Sequence, residues 1–318
     1  MIVTWQDLQA KLKWRSRWIG LPNFSSHRRE GCQMEAEWRK RLESHRLRSL
    51  EELFGVDKPI IGMVHLWPLP GAPGYSNYGI DHIIERALRD ATALVEGGVD
   101  GLIVENMWDL PYFVGADIPA EEMTAQAVAA RKVVEGVDIP VGINVVHNGG
   151  VVTLAIAVAA GARFIRVCLL TGVRVWDTGE FDHGCAARLL RKRKELGAEH
   201  VKIIADVDKK HSVAFPGIDL ATHIEWTEFY MTDAVIVSGK MTGSAPELDK
   251  VRQAKELAHC PVVVGSGATE DTIAEFLRYA DGAIVGTDFK AGGIAQNPVD
   301  VDRVKRLMQR VRRLRTTS

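Results

Sequence analysis

Cysteine is scarce in this chain. There are four in 318 residues, at positions 32, 168, 185 and 260, and no pair has CxxC or other metal-type spacing. That excludes a disulfide framework and a cysteine-ligated zinc site, and it points to buried free thiols in a reducing, cytoplasmic setting. An excess of charge of either sign is also missing: 40 Lys and Arg against 41 Asp and Glu give a formal net charge of −1. Such a balance excludes nucleic acid as the main partner. No apolar run approaches the ~20 residues needed to cross a bilayer, so membrane contact is expected to be peripheral at most. An early GxGxxG fingerprint is lacking too, which argues against an open, doubly wound dinucleotide-binding sheet.

What the chain does have is a regular alternation. Apolar, β-branched runs fall at 59–65, 100–105, 140–146, 163–169, 200–207, 233–238, 261–265 and 282–286. Helical patterns lie between and after them, at 81–96, 120–135, 151–160, 185–196, 220–230, 246–258, 271–279 and 299–313. Glycine follows several of these helices, at Gly97-Gly98, Gly136, Gly161 and Gly197, as expected of a left-handed C-cap. Continuous apolar strands are the mark of a sheet buried on both faces, and parallel strands need helical crossovers. Eight such units predict an α/β fold, a (β/α)8 TIM barrel, over residues 57–318.

Residues 1–56 read as a separate N-terminal extension. Up to Glu52, eleven Lys and Arg stand against seven Asp and Glu. Trp5, Leu8, Leu12 and Ile19 fall near helical spacing, which suits a weak basic amphipathic helix at a membrane surface or an organelle transit peptide within 1–33. The competing expectation is a disordered leader with Met34 as the true first residue. A helix over 34–54 then leads into the barrel.

Two stretches late in the chain carry the strongest chemical signal. Cys260-Pro-Val-Val-Val-Gly-Ser-Gly-Ala268 and Asp281-Gly-Ala-Ile-Val-Gly-Thr287 each run from a buried strand into a glycine turn. One Gly-x-Gly alone would be only a tight turn. The pair, in order and in the last quarter of the chain, matches the phosphate site made by the last two βα loops of a TIM barrel. Gly265, Ser266, Gly267, Gly286 and Thr287 are therefore the expected phosphate-binding residues, because glycine lets an anion approach main-chain N–H groups. Thr269 is expected to cap the helix that follows.

Catalytic groups belong at the C-terminal ends of the strands. That rule selects His65 with the proline-stiffened loop to Pro73, Glu105-Asn106, Asn144 with His147-Asn148, Arg166, and a long polar loop over 171–184. The densest group is Asp206-Val-Asp-Lys-Lys-His211. Asp206 and Asp208 share strand parity, so both are expected to face the barrel axis. A carboxylate flanked by Lys209 and His211 suits general-base work beside cations that stabilise an enediolate or phosphate. The same Asp206, Asp208 and His211, with Glu105 nearby, suit a divalent ion such as Mg²⁺. Lys240 ends the sixth strand, where a desolvated lysine forms a Schiff base or pairs with phosphate, with Thr242 and Gly243 adding anion contacts. Lys290 is a further candidate phosphate contact. The candidate catalytic set is Glu105, Asn144, Asp206, Lys209, His211 and Lys240.

Pro59-Ile-Ile-Gly-Met-Val-His-Leu-Trp-Pro-Leu-Pro-Gly-Ala-Pro73 resembles the opening signature of the BtpA/SgcQ family. Asp100-Gly-Leu-Ile-Val-Glu-Asn106, Gly142-Ile-Asn-Val-Val146, Ala205-Asp-Val-Asp-Lys-Lys-His-Ser212 and Val264-Gly-Ser-Gly267 resemble further blocks of it, in order, across 58–313. Trp67 stands where that signature has proline, and the first 56 residues lie outside the resemblance. It implies a TIM barrel of the phosphate-binding type, in a family named partly for photosystem I biogenesis and partly for a protein encoded among sugar-metabolism genes. Two functions are thus expected. One is an isomerase-, epimerase- or aldolase-like enzyme on a phosphorylated sugar or similar small metabolite, working as a homo-oligomer. The other is a non-catalytic factor for assembly or stability of a membrane complex.

Overall fold

The computed structural model describes residues 47–115, 117–239 and 243–316. The segment 1–33, the first part of the helix expected over 34–54, Lys240 and Thr242 lie outside the described residues. Of that helix the described part is α1, Glu51–Phe54, closed by Gly55.

In chain order the strands are β1 (Ile60–His65), β2 (Gly101–Glu105), β3 (Val141–Asn144), β4 (Phe164–Val167), β5 (Val173–Trp176), β6 (Phe181–His183), β7 (Lys202–Asp208), β8 (Ser212–Ala214), β9 (Ala234–Val237), β10 (Val262–Val264) and β11 (Gly282–Val285). Eight of them close into a barrel in the order β1-β11-β10-β9-β7-β4-β3-β2, every pairing parallel. The helices are α2 (Ile80–Gly97), α3 (Ala120–Gly136), α4 (Gly150–Ala160), α5 (Ala186–Glu195), α6 (Leu220–Phe229), α7 (Leu248–Leu257), α8 (Ile273–Phe276) and α9 (Val301–Arg315). The fold is the TIM barrel expected from the alternation.

Strand parity sorts the core into two shells. Ile60, Val64, Leu102, Val104, Ile143, Ile165, Val235 and Val262 face outward and pack against the helices. From α2 they receive Ile83, Ala87, Ala91 and Leu94, which recur at helical spacing and are fully buried. The opposite parity, with Ile61, Met63, Ile103, Phe164, Ile204, Ile236, Val263 and Ile284, fills the barrel interior. Leu47, Leu50, Leu53 and Phe54 join that interior cluster and close its floor, Phe54 meeting Phe164 edge to face at 5.4 Å. Gly142 has room for no side chain, because a Cβ there would lie 2.3 Å from the Phe164 ring.

Three local expectations change. Gly98 caps α2 in the left-handed region, but Gly136 is the last residue of α3 and extended Val137 ends it. The helix expected over 271–279 shrinks to α8, preceded by a turn in which Thr269 and Thr272 exchange main-chain N–H and hydroxyl bonds (3.0 and 3.3 Å). The polar loop over 171–184 folds as the antiparallel hairpin β5–β6, and β8 pairs on its other edge. No helix among the described residues is long and apolar enough to cross a membrane. Cys168, Cys185 and Cys260 are buried free thiols.

Candidate active site

The parity that fills the interior with aliphatic side chains continues one step further up each strand. There the inward positions turn polar. His65, Glu105, Asn144, Arg166 and Asp206 all follow in register from Met63, Ile103, Gly142, Phe164 and Ile204, with Ser238 two residues beyond Ile236. They form one buried layer at the C-terminal mouth. Arg166 donates from Nε and Nη2 to the two oxygens of Asp206, both at 2.9 Å. Ser238 Oγ donates to the same carboxylate at 3.2 Å, and Lys209 Nζ lies 3.7 Å away. Asn144 Nδ2 donates to Glu105, and His65 Nε2 stands 3.8 Å from the other Glu105 oxygen.

Burial alone would raise the pKa of both carboxyls. Arg166 outweighs it, helped at both sites by Lys209 and Lys210, and holds both below their ordinary values. Burial, with Lys290 adding to it, pushes His65 down to about 3, so its ring is neutral at pH 7. The two acids differ in access. Asp206 is enclosed by its partners, whereas Glu105 lines the mouth cavities.

The strand β7 constellation separates. A register shift between Asp206 and Asp208 breaks the parity that would have aimed both at the axis. Asp208 instead pairs with Lys250 and with Arg174 (3.4 Å). His211, at φ +60°, pairs with Asp177 at 3.1 Å. Asp206, Asp208 and His211 therefore do not form one ligand set. No group of three or more metal-type ligands exists among the described residues. With both Asp206 oxygens bound to Arg166, the residues present do not fit a resident Mg²⁺ there.

Lys210 emerges where Lys209 was expected to act. Lys209 is buried against Asp206, while Lys210 lines the open mouth and makes no hydrogen bond or ion pair with a described residue. Burial, then the neighbouring Lys209, pushes its ammonium down to about 8. Lys290 moves the other way, out of the site. It is fully buried against Asp90 (2.6 Å), which also takes the Val299 N–H, and it fixes the loop after β11 to α2.

Gly265, Ser266, Gly267, Gly286 and Thr287 do converge. They line one inner cavity of about 180 Å³ with His65, Glu105, Arg166 and Lys210. The main-chain N–H groups of Ser266, Gly267 and Ala268 donate to no acceptor among the described residues. Gly267 sits at φ +70°, and a Cβ on it would lie 2.1 Å from the Ala245 nitrogen, so only glycine fits this turn. Successive unpaired N–H groups beside a left-handed residue make a concavity suited to an anion. Gly243 lines it as well.

A larger outer cavity of about 670 Å³ adjoins the first, sharing Glu105, Met107 and Lys210 with it. Its wall includes Trp108, Tyr112 and His147, and His211 lies on its rim. The hairpin builds this side. Trp176 stacks on His147 at 4.0 Å and 4°, while its Nε1 donates to Asp182, which also accepts from Asn148. Arg174 is buried in the hairpin and ties down the loop after β7 through Ser212 Oγ (2.6 Å) and the Lys209 carbonyl (3.3 Å).

The BtpA family model matches residues 56–313. The chain belongs to the BtpA family. An uncharacterized protein of Thermococcus kodakarensis is 43% identical over 261 residues, covering 82% of this chain and 98% of that one. The photosystem I biogenesis protein BtpA of Synechocystis is 40% identical over 262 residues, covering 82% and 90%. Among solved structures, tryptophan synthase from M. tuberculosis matches with a TM-score of 0.53 at 16% identity, covering 83% of this chain and 98% of that chain. Thiamine phosphate pyrophosphorylase from Pyrococcus furiosus matches with 0.50 at 13%, covering 81% and 96%. At these identities the structural likeness establishes the barrel of this BtpA-family chain and nothing beyond it.

Proposed function

We propose that this BtpA-family barrel is an enzyme acting on a phosphorylated small molecule by proton transfer or carbon–carbon cleavage. The observation that carries the reading is the run of three N–H groups at Ser266–Ala268 with no acceptor among the described residues, set in a cavity that ends at ionised Glu105 and at Lys210, which has no ion-pair partner among them either. The turn binds the phosphate, as a fixed dipole array needing no reorganisation. Glu105 is the base, because Asp206 is already saturated by Arg166, Ser238 and Lys209. Lys210 stabilises negative charge developing on the substrate oxygen or, when neutral, attacks a carbonyl. Asn144 holds the Glu105 carboxylate in place by donating to it from Nδ2. Lys240 stays a candidate for a second cation.

A thermal-shift series with inorganic phosphate and sugar phosphates tests the anion site. Ligand at a hundred times its dissociation constant stabilises by about 2.7 kcal/mol. A substitution at Gly267 would distort the turn with or without ligand, so the informative variant is Thr287→Glu, which brings a carboxylate to the cavity wall. It should abolish the shift while melting like wild type, and an undiminished shift would remove the cradle. For the chemistry, a stabilising ligand is incubated in D₂O and followed by NMR. Deuterium should enter a carbon-bound position next to a carbonyl, about 10²–10⁴-fold more slowly in Glu105→Gln.

A second reading rests on the Synechocystis relative, whose name states a role in photosystem I biogenesis. In it the barrel docks a subunit of a membrane complex peripherally. A folded barrel that ignores every phosphate ester, yet co-purifies with a membrane-complex subunit, would favour this reading.

A further inference from the structure

The anion cavity is the smaller of the two, about 180 Å³ against about 670 Å³, and the outer cavity beside it has a different character. Its far wall is aromatic and aliphatic, built by Trp108, Leu110, Pro111 and Tyr112. Leu110 is 50% exposed, an apolar side chain left facing solvent at the rim. The polar group set into this wall is His147. It is 97% buried, with neither ring nitrogen hydrogen-bonded to any described residue and Nδ1 wholly enclosed. Trp176 stacks on the ring and Tyr112 leans against it at 4.7 Å, which fixes the ring's orientation and leaves Nε2 as the nitrogen that can meet a guest in the cavity. A neutral imidazole offers one donor and one acceptor. Lys209, Lys210 and His211 line the same cavity. Lys209 is paired with Asp206 and His211 with Asp177, so the lining asks for no further charge of either sign beyond the phosphate held next door.

We infer that the outer cavity holds a planar, uncharged, nitrogen-bearing ring attached to the phosphorylated part of the substrate, with Tyr112 and Trp108 as its apolar wall and His147 as its hydrogen-bonding contact. The bond or carbon that reacts then lies at the boundary of the two cavities, where Glu105 and Lys210 stand. This rests on the anion-site reading given above and narrows its substrate class from any phosphorylated metabolite to one of nucleotide-like build. Aromatic walls suit such a ring because flat apolar faces stack without demanding a particular substituent pattern.

The test is a matched set titrated into the full chain by calorimetry: inorganic phosphate, ribose 5-phosphate, and uridine and adenosine 5′-monophosphates. The last two differ from ribose 5-phosphate by the ring. At least one nucleotide should bind about tenfold or more tightly than ribose 5-phosphate, the increment expected of one stacked base. Tyr112→Ala and Trp108→Ala should each erase that increment while leaving inorganic phosphate binding unchanged, which also shows that the variants are folded. Equal affinity for ribose 5-phosphate and both nucleotides would overturn the inference and leave the anion site standing. An increment that survives both substitutions would also overturn it, since the ring would then sit elsewhere. Failure of all four probes, inorganic phosphate included, would sink the anion-site reading and this inference with it.

Discussion

His147 shows how one residue in this mouth couples stability to pH. Burial, reinforced by Lys209 and His211, lowers its proton affinity to about 3, against 6.5 when exposed. The folded state therefore binds no proton there at pH 5, whereas the unfolded chain does. The sign follows: the stability that depends on neutral His147 is full above pH 6.5 and is lost as pH falls from 6.5 toward 3. Asp109, raised to about 6, and Glu122, raised to about 7, both by burial, act in the opposite sense because they take up protons first when folded. The total pH profile blends these terms, so the clean observable is a difference. His147→Gln should flatten the acid-side decline relative to wild type by up to one proton, about 1.4 kcal/mol per pH unit between pH 6 and 4. Urea midpoints at half-unit pH steps measure it, and parallel profiles would mean His147 is protonated in the fold. At this scale the sequence was only partly informative. Position at a strand's end singled out Glu105, Asn144 and Arg166, but not that Arg166 would occupy Asp206 completely. Lys290 misled because its partner, Asp90, is 200 residues away in the chain.

Among elements, strand parity was the most legible feature and also the one that failed most informatively. Apolar runs located all eight barrel strands because a sheet buried on both faces needs β-branched residues at every position. The same period of two, carried past Asp206, wrongly aimed Asp208 inward, since a register shift leaves no trace in composition. The hairpin β5–β6 was hidden for another reason. Its strands are three and four residues long and carry Arg174, Asp182 and His183, so they lack the apolar signal of a strand. Arg174 gives that hairpin its purpose, because its guanidinium holds Asp208, Lys209 and Ser212 in one place. Arg174→Met should therefore loosen the loop that carries Lys209 and Lys210 without melting the barrel. Amide hydrogen exchange over 208–214 should quicken at least tenfold while the strands β1 to β4 keep their protection. Unchanged exchange in that loop would show that other contacts hold it.

At the level of the whole molecule, the barrel separates what keeps it folded from what it binds. The floor is apolar and built by Leu47, Leu50, Leu53 and Phe54, residues that come just before the first strand and pack into the interior cluster. The mouth is the reverse, a layer of buried charges balanced against one another, with main-chain donors at one edge that have no acceptor among the described residues. Groups arranged to meet a ligand are seldom arranged for greatest stability, so substitutions at the two ends should have opposite effects. Phe54→Ala removes a ring packed on Phe164 and on the Gly101 backbone, where a Cβ would lie 2.5 Å from that ring. It should cost about 3–5 kcal/mol of unfolding free energy yet leave phosphate-ester affinity within twofold, so long as the protein is kept well below its melting temperature. Lys210→Met should do the converse: it removes a half-buried cation that pairs with no described residue, so the fold should hold or gain slightly while affinity for phosphate esters drops about tenfold or more. Denaturation and titration of the same two proteins settle the matter. If Phe54→Ala weakens ligand binding as much as it weakens the fold, the floor and the mouth are energetically one unit, and the separation of stability from binding in this barrel does not hold.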